Sequence, residues 1–118
     1  MPLLRDDMEE IAFEVQGSAL EPYHVVFVRR SLTNLSAYCS CPAGENGQVC
    51  KHRFAILEGD QVNLASSNVS DVKTVQSWLA GTDVEKHLLK MRELEQAIEK
   101  IKNELSSAKK DLAKAMRD

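Results

Sequence analysis

Aromatic side chains are scarce in this 118-residue chain: three Phe, two Tyr and one Trp. So few large rings leave little material for a self-sufficient core, and a small domain then needs a staple. Basic charge is not in excess either. The formal net charge is −3; residues 1–60 carry 5 basic and 9 acidic side chains, and residues 61–118 carry 10 and 9. Neither half is a basic arm or an acidic tail, so composition does not advertise a nucleic-acid partner. No apolar run reaches the roughly 18 residues of a membrane span, so no membrane partner is expected. The opening "MPLLRDDMEE" is acidic and lacks the n-region and h-region of a signal peptide. The three cysteines are odd in number and lie between positions 39 and 50. That argues against a secreted disulfide framework and for an intracellular, reducing compartment, cytoplasm or nucleus.

What is present divides into a β-rich first half and a helical second half. In "IAFEVQG", Ile11, Phe13 and Val15 alternate, the period-2 mark of a half-buried strand. "YHVVFVRR" is rich in β-branched and aromatic residues, and "GSALEP" between them reads as a turn. "SLTNL" is a polar break before a third short strand in "SAYCSC". Three antiparallel strands in a meander are the economical arrangement. In "HRFAILEG", Phe54 and Leu57 share a helical face and Gly59 is a helix stop. The polar "DQVNLASSN" reads as a loop or linker.

Ser70 or Asp71 is placed to cap a short helix through "VKTVQSWLA", ended by Gly81. Val72, Val75 and Leu79 give it an apolar face, with Trp78 flanking as a packing residue. Thr82 and Glu85 have the spacing of a capping box, in which each side chain bonds the other residue's amide. A long helix then runs from about Asp83 with no Gly or Pro through Asp118. Its apolar residues repeat every seven: Val84, Met91, Ile98, Leu105 and Leu112 at a; His87, Leu94, Ile101, Ala108 and Ala115 at d. Such a helix reaches about 50 Å at 1.5 Å per residue, too long for the small domain before it to cover. A homodimer through residues 84–115 is the simplest cover. In a parallel pair Lys90 faces Glu95 and Glu104 faces Lys109, although the alanines at d weaken the distal seam and leave orientation open. Packing within one chain, or a solvated helical tail, is the alternative.

All three cysteines and one histidine fall in "CSCPAGENGQVCKH". Zinc wants four soft or borderline donors in a tetrahedron, and Cys39, Cys41, Cys50 and His52 supply four with none left over. Residues i and i+2 of a strand point to one side, so Cys39 and Cys41 can converge. On a helix they diverge, so Cys50 must precede the helix and His52 must sit in its first turn. Pro42, Gly44, Asn46 and Gly47 let the intervening chain fold back. A Cys39–Cys41 disulfide would close a strained, labile ring and leave Cys50 and His52 unexplained. An iron–sulfur cluster usually takes four cysteines. A catalytic Cys50–His52 pair lacks an orienting third group, and no Ser/His/Asp arrangement or phosphate-binding Gly loop occurs elsewhere. Four protein ligands leave no open position for water, so one structural Zn2+ per chain and no enzymatic activity are expected.

The motif C-x-C, eight residues, C-x-H, with a hairpin before it and a helix after it, resembles the SWIM-type zinc finger. The Pro after the second Cys and the Lys of "CKH" also fit that family. The resemblance covers roughly residues 10 to 58; Arg53 is a small departure, and residues 60–118 show no family likeness. It implies a ββα zinc module that binds DNA or another protein, with Cys39, Cys41, Cys50 and His52 as ligands.

The expected architecture is therefore α+β: a zinc-stapled β meander plus helix (residues 1–60), a linker and short helix (61–81), and a long coiled-coil helix (82–118). The leading functional expectation is a protein–protein adaptor dimerised by that helix. The alternative is a DNA-binding finger acting in recombination, transposition or transcription, with Arg29, Arg30, Lys51 and Arg53 on phosphates. Glu45, Glu58 and Asp60 dilute such a patch. Lys51 and Arg53 fit equally well as charge-balancing donors to the metal site or as solvated residues. His24 is expected on a strand surface, Tyr23 and Tyr38 as packing residues with a wet tip, and His87 as a polar mark in the seam.

Overall fold

The structure, a computed structural model, describes residues 8–118; most of the acidic opening stretch lies outside the described residues. Three strands, β1 (Glu9–Val15), β2 (Tyr23–Ser31) and β3 (Asn34–Cys39), form an antiparallel meander in the order β1-β2-β3. Register follows from the alternation. Ile11 pairs with Phe27 and Phe13 with Val25, while Val25 pairs with Cys39 and Phe27 with Ala37. One face thus collects Phe13, Val15, Val25, Phe27, Leu35 and Cys39, all buried. Phe13 and Phe27 meet edge to face at 6.0 Å, worth about 0.5–1.5 kcal/mol beyond their burial. The expected polar break shrinks to a turn at Leu32 and Thr33, so β3 starts two residues before the expected Ser36 and ends at Cys39.

Four helices follow: α1 (Pro42–Glu45), α2 (Lys51–Leu57), α3 (Asp71–Leu79) and α4 (Asp83–Arg117). The architecture is α+β, as the sequence implied. Within α2 the buried apolar pair is Ile56 and Leu57, with Phe54 only half-buried, because the two-turn helix meets the core through its last turn. In α3 the buried positions are Val72, Val75 and Trp78 at intervals of three, so Trp78 lies inside the packed face and Leu79 at its margin. These three join the same core as the sheet.

The loop before α3 is pinned to the sheet. Leu64 bridges Val15, Gln16 N donates to Asn63 O at 2.8 Å, and Ala65 N donates to Glu14 O at 2.7 Å. Asn68 Nδ2 donates to Ala12 O at 2.8 Å. The outer edge of β1, otherwise a row of unpaired backbone groups, is thereby covered.

The start of α4 is capped, though not by the reciprocal box the spacing suggested. Glu85 N donates to Thr82 Oγ1 at 3.3 Å, but the Glu85 carboxylate accepts from Gly81 N at 3.1 Å. Thr82 N is already committed to Leu79 O. Gly81 itself has φ +80°, the left-handed backbone that separates α3 from α4.

The chain divides into two compact units, with the boundary between residues 85 and 86. The second is the helical segment 86–118. Every residue beyond Arg92 in it is exposed.

Candidate metal centre

Cys39 closes β3 on the core-facing side, in phase with Leu35 and Ala37. The strand stops there, so Cys41 is not a strand residue as its spacing suggested. It caps α1 with an extended backbone (φ −66°, ψ 160°), and that local extension keeps the two sulfurs converging. Pro42, which has no amide proton, occupies the first position of α1 and ends the ladder. The expected irregular return of the chain is therefore partly helical. Cys50 precedes α2 with an extended backbone (φ −132°, ψ 147°), and His52 lies in the first turn. That is the arrangement the divergence of i and i+2 on a helix demands.

These four residues are all buried, and their donor atoms lie within 4.8 Å of one another. Cys39 Sγ and His52 Nδ1 stand 3.8 Å apart. Sulfur and nitrogen donors at tetrahedral zinc distances are separated by about 3.6 Å, so the cluster has the size of a zinc site. All three cysteines are free thiols, which excludes the Cys39–Cys41 disulfide here. The donor set fits the ion: three sulfurs and one imidazole nitrogen satisfy zinc's preference. His52 Nε2 is buried with no hydrogen-bond partner among the described residues. With Nδ1 toward the sulfurs, Nε2 is left to carry the proton. The Tyr23 ring packs on the imidazole at 4.9 Å and Gly17 closes over it, a Cβ there coming 3.0 Å from Nε2 and 2.4 Å from the Tyr23 ring.

Three thiolates and a neutral imidazole around a dication carry a net charge of about −1 by ligand charge count. Amides offset it. The Cys41 amide serves the Cys39 thiol, and Gly44 N donates to Cys41 Sγ at 3.3 Å. Gly44 has no room for a side chain, since a Cβ would lie 2.4 Å from Cys39 O and 2.9 Å from Cys39 Cβ. Arg53 Nε donates to Cys50 Sγ at 3.1 Å. Without metal the environments differ. Burial, and the neighbouring thiols, push Cys39 up to about 12. Burial also raises Cys50, but the Arg53 amide, guanidinium and charge outweigh it and hold the thiol below its ordinary value. Burial and then the Lys51 charge hold His52 below its ordinary value, favouring the neutral imidazole a metal needs.

The cations expected to form a phosphate-binding patch are dispersed. Arg29 bonds Glu9 at 2.9 Å. Arg30 bonds Ser36 at 2.8 Å and Tyr38 at 3.1 Å. Arg53 is turned into the thiol cluster, and Lys51 is exposed at the entrance to α2. Tyr23 packs as expected, whereas Tyr38 is exposed and held by Arg30. His24 and His87 are exposed. Sequence reasoning gave Gly17 no role beyond a turn and did not anticipate the close approach at Gly44. Neither residue signals in sequence which neighbour it meets. Among the described residues, no helix is long and apolar enough to cross a membrane.

No curated protein and no solved structure matches the chain. Residues 24–58, however, match the SWIM zinc finger family, and the match takes in β2, β3, α1 and α2. The finger is a binding module and not a catalytic domain, and its three cysteines and one histidine are consistent with one structural Zn2+. With Cys39, Cys41, Cys50 and His52 gathered in the order C-x-C-x8-C-x-H and positioned to bind a metal, residues 24–58 form a SWIM-type zinc finger.

Proposed function

We propose that this chain is a non-enzymatic adaptor: a finger stapled by zinc on Cys39, Cys41, Cys50 and His52, doubled by pairing of α4 with a second copy. The observation that carries the pairing is the exposure of the heptad seam. Leu94, Ile98, Ile101, Leu105 and Leu112 are between 51% and 62% exposed. Seven-residue spacing sets them in one stripe over most of a 35-residue helix. A stripe that narrow and long matches another helix better than a globular surface. Two fingers on one paired helix then bind a partner with avidity, because the second contact is intramolecular. Buried free thiols suit a reducing compartment.

A protein target is favoured over DNA by the dispersal of the cations. Three of the four arginine and lysine candidates are engaged by Glu9, by Ser36 and Tyr38, or by the thiol cluster. Light scattering of the zinc-loaded chain tests the pairing. Twice the monomer mass is expected for the parent, and the monomer mass for the double variant Ile98→Glu, Ile101→Glu. A monomeric parent sinks the reading. Anisotropy of a labelled duplex at two salt concentrations tests the target: binding that falls steeply with salt moves the assignment to DNA.

A further inference from the structure

The guanidinium of Arg53 touches three separate segments of the site. Nε donates to Cys50 Sγ at 3.1 Å, and Nη1 to the Ala37 carbonyl of β3 at 3.1 Å. Nη2 donates to the Gln48 carbonyl in the loop before Cys50. Ala37 is two residues before Cys39, and Gln48 two before Cys50. One rigid planar fork therefore ties the strand that ends at Cys39 to the loop that leads into Cys50. It also brings a full positive charge to a donor set that would hold zinc with a net charge of about −1. Cys39 is served by the Cys41 amide, and Cys41 Sγ accepts from Gly44 N at 3.3 Å.

We propose that Arg53 is a positioning residue of the zinc centre, an internal counter-cation that fixes the two halves of the ligand set and shields Cys50 Sγ from attack. This rests on the zinc assignment. Metal content of the parent chain tests that assignment separately, so the two can fail independently. A hydrogen-bonded, charge-paired thiolate is a poorer nucleophile than its neighbours, which orders their reactivity. Lysine does not replace the fork, because one ammonium cannot reach three acceptors on different segments in a fixed geometry.

The test uses the full zinc-loaded chain with two readouts. In competition with a chromophoric chelator, Arg53→Met is expected to lower zinc affinity by about 10–100-fold, the usual effect of losing a partner that orients a ligand. Arg53→Lys recovers less than half of that loss on a logarithmic scale. In site-resolved alkylation with iodoacetamide, sulfur displaces iodide as the S–C bond forms and the C–I bond breaks. Cys50 is expected to react last in the parent and to accelerate selectively in Arg53→Met. The proposal is overturned by affinity within twofold of the parent, or by equal acceleration at all three cysteines, which marks a merely structural role. Should Arg53→Met fail to fold, the order in the parent decides: Cys50 last supports the proposal, and any other order overturns it.

Discussion

The finger and the long helix handle apolar and polar burial in opposite ways. In the finger, the four candidate donor residues are buried, and the three cysteines among them belong to the same core as the sheet. The far part of α4 buries nothing, and its apolar seam faces solvent. The finger closes on itself once a metal is supplied. The helix leaves its seam of Leu94, Ile98, Ile101, Leu105 and Leu112 to solvent. Stability in the first should answer to zinc and not to concentration, and in the second to concentration and not to zinc.

Removing zinc is the strongest way to break that contrast. Structural zinc contributes apparent binding energies of about 10–16 kcal/mol, so a chelator should abolish amide dispersion throughout the sheet. The helical signal of α4 should fall far less at a chain concentration that keeps it paired. Global loss of helix at that concentration would show that the units are not independent. Acid should reach the same end. His52 titrates below its ordinary value of 6.5, so its contribution is present above pH 6.5 and lost as pH falls through the lower folded value. Zinc retention followed by atomic absorption should also fall with acid, because protons compete with the metal for the three thiolates and the imidazole.

The reverse experiment is expected to be smaller. Ile98→Glu with Ile101→Glu places charge in the seam and should lower helicity and halve the mass while leaving zinc content at one per chain. Loss of zinc in that variant would couple the two halves. Within the finger, Gly44→Ala should cost about 1–3 kcal/mol, as overpacking does, because the methyl group meets the Cys39 backbone. Chemical denaturation of the zinc-loaded chain reads it directly. Gly47→Ala nearby meets nothing within 4 Å, although its φ of +73° imposes a separate backbone strain. Smallest of all, Thr82→Ala removes the acceptor for Glu85 N and should cost about 1 kcal/mol in the same measurement.

The gathered set of four was legible in the sequence because metal-site geometry is local. Spacings of two on an extended chain and at a helix entrance specify which donors converge. The strands were legible because Ile11, Phe13 and Val15 alternate on a face that must be buried. What escaped depends on contacts between distant residues. Gly17 sits 35 positions from the imidazole it covers, and nothing in "VQGSA" names His52. The end of β3 at Cys39 had a signal in Pro42, which cannot continue a ladder, but the i, i+2 argument for Cys41 overrode it. Arg53 was balanced in sequence between balancing the site and facing solvent. Only the positions of Ala37 and Gln48 resolve that balance, since they turn one side chain into a three-way tie.

The covered edge of the sheet has a consequence for self-assembly. On one side the chain lays its own residues 63–66 against β1. On the other, Arg53 occupies the Ala37 carbonyl of β3. The β1 border is therefore covered by the chain itself, and on the β3 border one outward carbonyl is already taken, both of which work against edge-to-edge strand addition. The second of these guards is attached to the metal cluster. One side chain thus guards the outer border of β3 and bonds Cys50 Sγ at the same time.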